Sequence, residues 1–184
     1  MHSSTEQGFI AMSNSKGLAI VLAENYYENL ELHYPRLRLQ EAGYDVRVAG
    51  PKKGESYQSK ENYPVKADLE FGDVNAKDVK VLIVPGGYAP DKMRKHKSCL
   101  DLVAAAYNAG AVVGFICHGG WVPISARIVK GRKVTSVIAI KDDLENAGAN
   151  WIDEPCVVDG KLVSAQVPKD LPEFMAAILA ILKC

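Results

Sequence analysis

Cys117 and His118 are the two residues of this sequence whose types and spacing best fit covalent chemistry. They follow the apolar run 112–116 and precede two glycines, in the order VVGFICHGGW. A cysteine at a sharp turn after a buried strand is pushed out of the sheet, as the nucleophile is in other α/β enzymes. A helix beginning at Gly119 would direct free N–H groups at the sulfur and favour the thiolate. A buried structural cysteine fits the same position, and His118 is either a base for the thiol or a structural residue.

Backbone donors and acids follow two other apolar runs. Gly86 and Gly87 come after VKVLIVP, where their N–H groups would either stabilise an oxyanion or simply form a turn. Glu24, Glu28 and Glu31 follow the first apolar run and share one face at helical spacing. Composition does not choose which of these three acids would face a site.

Short apolar runs alternate with helical patterns along the chain. The runs GLAIVLA, VKVLIV and AVVGFIC have the length of buried strands, and amphipathic segments separate them. This alternation predicts a mostly parallel sheet covered by helices on both faces. In such sheets ligands bind beyond the carboxyl ends of the strands, where the strand order reverses. We therefore expect the loops after these three runs to converge on one crevice.

Two segments depart from the alternation. The stretch 52–73 reads as an excursion between two strand–helix units and predicts a small β-ribbon. CVVDGKLVSAQ carries Asp-Gly between two alternating runs, which predicts a β-hairpin.

The composition favours one cytoplasmic domain. The chain has 184 residues and a formal net charge of zero, so overall charge attracts neither nucleic acid nor an anionic membrane. No apolar run approaches the ~20 residues of a membrane span, and the N-terminus predicts no secretion signal. The cysteines form no CxxC pair and the histidines are scattered, so we expect neither a metal site nor a disulfide framework. Residues 1–15 are expected to be a flexible lead-in to a single domain over 16–184.

A set of motifs in this order resembles the ThiJ/PfpI superfamily. They are ENLEL after the first strand, VPGGYAPD after the third and ICHG after the fourth, followed by GRKVTS, IKDDLENAGA, VVDGKLVS and VPKDLP. The likeness covers Lys16 to Lys183 and is greatest to the PfpI-type branch of intracellular peptidases and stress proteins. It implies a flavodoxin-like, doubly wound, mostly parallel α/β sheet sandwiched by helices, with a cysteine at a nucleophile elbow.

The resemblance also implies roles for individual residues. It places the nucleophile at Cys117, the neighbouring histidine at His118, and the oxyanion-hole donors at the backbone of Gly87 and His118. It places the acid that contacts the sulfur at Glu28, protonated and donating to the thiolate. It implies a homodimer or larger homo-oligomer in which Asp91 orients His118 of a neighbouring subunit. It implies no cofactor and no metal.

Two positions depart from the family pattern. Asp91 stands where glutamate is usual, and its shorter side chain would lengthen a contact to a neighbouring subunit. Gly120 stands where proline is common and is followed by Trp121, which would reshape the floor of the pocket.

The function implied first is that of a cysteine-dependent hydrolase of the PfpI type. It would be an intracellular peptidase or a protein deglycase that removes carbonyl adducts under stress, with a peptide or a small carbonyl compound as substrate. One alternative is a glutathione-independent glyoxalase that converts methylglyoxal to lactate. Another is a non-enzymatic redox sensor or chaperone in which Cys117 is oxidised.

Overall fold

The computed structural model describes residues 15–183, so residues 1–14 of the expected lead-in lie outside the described residues, as does Cys184. Seven strands form one sheet and two short pairs lie beside it. In chain order the strands are β1 (Leu18–Leu22), β2 (Asp45–Gly50), β3 (Ser56–Gln58), β4 (Pro64–Lys66), β5 (Leu69–Glu70), β6 (Val79–Val84), β7 (Val112–Ile116), β8 (Lys133–Val134), β9 (Asn150–Trp151), β10 (Cys156–Asp159) and β11 (Leu162–Ala165).

Helices connect and cover these strands. They are α1 (Asn29–Glu41), α2 (Ala89–Met93), α3 (Lys97–Asn108), α4 (Trp121–Ser125), α5 (Lys141–Asn146) and α6 (Leu171–Ile181). Helices α1 and α6 pack against each other and the sheet, and α3 packs against β6, β7 and α4. Every residue of β7 is buried. Because successive side chains of a strand point to opposite faces, both faces of the sheet are covered there. Within residues 15–183, no helix is both long and apolar enough to cross a membrane.

The strand order brings the three expected loops together. The sheet runs β10-β11-β7-β6-β1-β2-β5, and its pairs are parallel except for β10 with β11. Strand β1 pairs with β2 on one side and with β6 on the other, so the order reverses there. Strand β7 pairs with β6. The carboxyl ends of β1, β6 and β7 therefore lie side by side, as the sequence predicted.

Both irregular segments also fold as predicted. Strands β3 and β4 pair antiparallel and form the ribbon between β2 and β6. Strands β10 and β11 form the hairpin around Asp159 and Gly160. The ribbon matters for the site because an isolated bridge joins Ser59, just after β3, to Tyr27.

Helix α6 packs closely over a glycine in the middle of the sheet. A Cβ atom added at Gly114 of β7 would lie 2.8 Å from side-chain atoms of both Phe174 and Ile178, and 3.1 Å from Ile83. Interiors are packed too densely to absorb such an atom without movement. Glycine at 114 thus allows α6 to approach β7.

We expect Gly114→Ala to lower the free energy of unfolding by about 1–3 kcal/mol, because the core side chains around it must leave their rotamers. The matched control is Gly72→Ala, where an added Cβ has only Ser98 at 4.0 Å. Thermal and urea unfolding of both variants measure the difference. Equal stability of the two variants would contradict this account of the packing.

Candidate active site

Cys117 has a backbone conformation that few non-glycine residues adopt. It follows β7, begins a 3₁₀ turn over Cys117–Gly120 and has φ of +58°. This left-handed conformation costs roughly 1–3 kcal/mol and persists only where the surroundings enforce it. The turn lies on the end of β6, where a Cβ at Gly119 would be 2.6 Å from the carbonyl oxygen of Val84. The sharp strand-to-helix turn expected from the sequence is therefore present.

Glu31 is the carboxyl beside the Cys117 thiol. It is completely buried, and its Oε2 accepts a 2.7 Å hydrogen bond from the backbone N–H of Gly86. Its Oε1 is buried without a nitrogen or oxygen partner among the described residues, and the carboxyl interacts with the thiol of Cys117. Burial, followed by the negative charge of Glu28, raises the pKa of Glu31 to about 8. A hydrogen bond from the Cys117 thiol to the carboxylate lowers the pKa of Glu31, but burial has the larger effect. At neutral pH this carboxyl is therefore mostly protonated.

The assignment of Glu28 as the acid in contact with the sulfur is therefore wrong. Glu28 is the N-cap residue of α1 with an extended backbone, and its Oε2 accepts a 2.8 Å hydrogen bond from the N–H of Glu31. The shared helical face assumed for the three acids does not exist, because the helix begins only at Asn29. Glu24 is also buried, but its carboxyl contacts His96 and the N–H of Asn25.

Burial outweighs the local donors at Cys117. The loss of hydration, followed by the charge of Glu31, raises the pKa of the thiol to about 12, whereas N–H groups of His118 and Gly87 lower it. The expectation that a helix behind the turn favours the thiolate is not met. A 3₁₀ turn separates the sulfur from α4, and α4 has only five residues. The repulsion from Glu31 exists only when that carboxyl is ionised, so the two groups titrate as a coupled pair.

The two N–H groups directed at the sulfur are the ones that the resemblance named as oxyanion donors. Gly87 has φ of +74°, and a Cβ there would lie 2.5 Å from the carbonyl oxygen of Tyr26. Only glycine fits this approach to the backbone. An isolated bridge between Gly87 and Tyr27 fixes the loop after β6 next to the loop after β1.

His118 lies beside the thiol and is held neutral. Its Nδ1 is 3.4 Å from Sγ of Cys117, and its ring centroid is 5.2 Å from that of Trp121. Burial, followed by the positive charge of Lys60, lowers the pKa of His118. Trp121 is fixed in turn by a 2.7 Å hydrogen bond from Nε1 to Asp143. At Gly120, where proline is common, an added Cβ would be 3.0 Å from Ile140, so this floor is already tightly packed.

Asp91 does not line the site of its own chain. It lies in α2, is exposed, and accepts a 2.9 Å hydrogen bond from Nζ of Lys95. That bond lowers the pKa of Asp91. A contact to a neighbouring subunit's His118 stays a prediction.

A cavity of about 190 Å³ opens over the sulfur. Three of its lining residues were missed by the sequence reasoning, namely Lys60 from the ribbon, Tyr88 after the Gly86–Gly87 turn, and Pro168 before α6. The whole lining is Glu28, Glu31, Lys60, Gly87, Tyr88, Cys117, His118 and Pro168. Among residues 15–183 there is no group of three or more His, Cys, Asp or Glu side chains that could hold a metal ion.

Cys117 lies in a strained turn at the end of a strand, beside the buried and protonated carboxyl of Glu31. This arrangement defines an α/β protein with a cysteine at its nucleophile elbow. Residues 17–181 match the DJ-1/PfpI family, and the chain belongs to this family. The assignment to the ThiJ/PfpI superfamily made from the motifs is thereby confirmed.

The relatives carry related names. The chain is 42% identical over 164 residues to "Deglycase PfpI" of Pyrococcus furiosus, covering 89% of this chain and 98% of that protein. It is 35% identical to "General stress protein 18" of Bacillus subtilis, covering 91% and 98%. The crystal structure of Drosophila melanogaster DJ-1beta superposes with a TM-score of 0.83 at 26% identity, over 90% of each chain. The flavodoxin-like α/β fold predicted from the sequence is confirmed.

We expect the alkylation rate of Cys117 to rise with pH through an inflection near pH 8, where the coupled pair loses its first proton. Glu31→Gln removes that titrating group, so the inflection should disappear. Mass spectrometry of iodoacetamide-treated protein between pH 6 and 10 measures the rate at each cysteine.

Glu28→Gln is the matched control for that experiment. Removing the charge of Glu28 removes one cause of the raised pKa of Glu31, so its inflection should persist at a lower pH. An inflection near pH 8 that survives in Glu31→Gln would show that Glu31 is not the titrating partner.

Proposed function

We propose that the protein is a Cys117-dependent deglycase that acts on small carbonyl adducts. The observation that carries this proposal is the pair of Cys117 and Glu31 at the base of a cavity of about 190 Å³. A carboxyl with a pKa of about 8 can accept and return protons near neutral pH, which is the requirement for a general acid–base catalyst. The relatives named deglycase support the same class of reaction.

The first step transfers the carbonyl carbon to sulfur. Glu31 in its ionised form accepts the thiol proton as Cys117 attacks an aminocarbinol adduct of methylglyoxal. A carbon–sulfur bond forms, the carbon–nitrogen bond breaks, and the amine leaves with a proton returned from Glu31. The product is a hemithioacetal on Cys117 with the ketone next to it. The N–H groups of Gly87 and His118 lie beside the sulfur, where they can stabilise an oxyanion.

The second step turns the hemithioacetal into a thioester. Glu31 takes the proton from the carbon bonded to sulfur and delivers it to the neighbouring ketone carbon. The hydroxyl proton of the hemithioacetal passes to the ketone oxygen in the same rearrangement, giving a 2-hydroxyacyl thioester. Water then hydrolyses the thioester, aided by the neutral His118, and regenerates the thiol. The net reaction is adduct plus water to free amine plus lactate, with no oxidant or reductant consumed. The proton-transfer role first given to Glu28 thus passes to Glu31.

The size of the cavity favours a small carbonyl over a peptide. Typical pockets for drug-sized ligands measure roughly 300–1,000 Å³, whereas this cavity suits a fragment of a few heavy atoms. Free methylglyoxal also fits and would enter the same hemithioacetal directly, so glyoxalase activity is the second candidate. Peptide hydrolysis would need room for the chain on both sides of the scissile bond.

Cys117→Ser should abolish turnover while leaving the fold intact, because the serine hydroxyl ionises far less readily than a thiol. The control is Cys156→Ser, a half-buried cysteine of β10 outside the cavity. The assay follows release of the amine and formation of lactate from the methylglyoxal adduct of N-acetyl-lysine. Turnover by Cys117→Ser with an unchanged melting curve would remove Cys117 as nucleophile. Turnover of free methylglyoxal alone would select the glyoxalase.

We also propose that Asp91 orients His118 of a neighbouring subunit in a homo-oligomer, as the family resemblance implies. The exposure of Asp91 and its position in α2 leave the carboxylate accessible to a partner. Within one chain its partner is Lys95.

Asp91→Asn should reduce turnover about ten- to a hundred-fold in an intact oligomer, because one hydrogen bond to a charged group is worth about 1.5–3 kcal/mol. Asp101→Asn is the matched control, since Asp101 is an exposed acid paired to Lys97 by the same i, i+4 spacing. Size-exclusion profiles accompany the kinetics. Full activity of Asp91→Asn in an assembled oligomer would remove Asp91 from the site.

A further inference from the structure

Lys60 is held at the mouth of the Cys117 cavity by its backbone. It follows Ser59 in the turn between β3 and β4, and the buried Ser59 hydroxyl accepts 3.1 Å hydrogen bonds from the N–H groups of Glu61 and Tyr63. The N–H of Lys60 donates a 3.0 Å hydrogen bond to the carbonyl oxygen of Tyr27. A residue fixed in this way presents its side chain to the cavity without an ordering cost from a mobile loop.

The Lys60 ammonium is a cation with spare hydrogen-bonding capacity. Its ion pair with Glu61 is at 4.0 Å, the outer limit for such a contact, and its side chain is 36% exposed. Its positive charge lowers the pKa of both Glu31 and Cys117, so it lies within electrostatic reach of the reacting groups. An ammonium has three N–H donors, and this contact leaves most of them unused.

The acids in the same cavity do not neutralise this charge. Glu28 accepts the N–H of Glu31, and no ion pair joins it to Lys60 within the described part of the chain. Glu31 is mostly protonated at neutral pH, and its Oε2 accepts the N–H of Gly86. Since His118 is held neutral, Lys60 is the one cation among the described residues that line the cavity.

We propose that Lys60 binds a carboxylate of the substrate, so that the enzyme selects carbonyl adducts carrying a carboxylate close to the reacting carbon. Adducts of amino acids, or hemithioacetals of thiol-containing acids, have this chemistry. A charge-assisted N–H···O bond in a partly desolvated cavity is stronger than a neutral one and discriminates an acid from its amide. This inference rests on the proposed function for the reaction, and extends it to the class of substrate.

A role confined to the thiol is the main competing explanation. In that case the ammonium would promote ionisation of Cys117, and its removal would slow the thiol's reactions without changing the choice of ligand. The two explanations separate in a binding experiment that compares an acid with its neutral isostere.

The binding experiment measures protection of Cys117 from iodoacetamide by lactate and by lactamide. The ratio of the alkylation rates with and without ligand, measured over a range of ligand concentrations, gives the dissociation constant of each ligand. This ratio remains valid where a variant alters the alkylation rate of the free protein. In the wild type, lactate should bind about tenfold or more tightly than lactamide. Lys60→Met should abolish this preference, and Lys60→Arg, which keeps the charge, should retain part of it. Lys53→Met, which removes an exposed lysine of the preceding turn, should leave the preference unchanged.

A wild type that binds lactate and lactamide equally would overturn the inference. So would a preference for lactate that persists in Lys60→Met. These outcomes need no turnover, so they are independent of the fate of the proposed reaction. A second arm compares the KM for the methylglyoxal hemithioacetals of N-acetylcysteine and its amide. A lower KM for the acid, lost in Lys60→Met, supports selection during turnover. Absence of turnover of both compounds by the wild type would count against the proposed function alone.

Discussion

The buried carboxyl of Glu31 is the group on which the rest of the site depends. Removing a carboxylate from water is so costly that the group keeps its proton well above its ordinary pKa. One oxygen holds the N–H of Gly86, which ties α1 to the loop after β6. A side chain at Gly86 would collide with Oε2 at 2.6 Å and with Cβ of Cys117 at 2.9 Å. The Glu31 carboxyl, the loop after β6 and Cys117 are therefore packed in direct contact, and only glycine fits at position 86.

Local sequence patterns were sufficient for the sheet and for the place of the site. Strands β1, β6 and β7 are apolar runs of five or six residues, and such runs bury their side chains only in a sheet that is covered on both faces. The adjacency of these strands and the convergence of their loops could therefore be predicted. The position of Cys117 followed from the same pattern. The choice between Glu28 and Glu31 did not, because it turns on where α1 begins. A shift of that boundary by one residue moves each acid to another face, and sequence reasoning locates helix ends poorly.

Long-range contacts account for the remaining differences. Lys60 has no motif around it and reaches the cavity through contacts of the ribbon with the loop after β1. One of these is the bridge from Ser59 to Tyr27, more than thirty positions earlier in the chain. The pKa of Cys117 was expected to fall from the rule for helix N-termini, yet it rises because burial acts from all sides at once. The two backbone donors to the sulfur, His118 and Gly87, are those that the family resemblance named. A rule about the nearest helix end does not include the loss of hydration around the thiol, which is the largest cause of its raised pKa.

The backbone of Tyr27 joins two parts of the molecule that are distant in sequence. It bridges to Ser59 on one side and to Gly87 on the other, and its carbonyl oxygen accepts the N–H of Lys60. Tyr26 makes a parallel connection, since its N–H donates to Gln58 and its carbonyl oxygen accepts the N–H of Tyr88. The β-ribbon and the loop beside the cysteine are thus connected through this short segment after β1. Any local unfolding that releases the ribbon would also loosen the donor loop beside the sulfur, so the two regions should open as one cooperative unit. A ligand that closes the ribbon over the cavity would for the same reason rigidify the backbone behind the thiol.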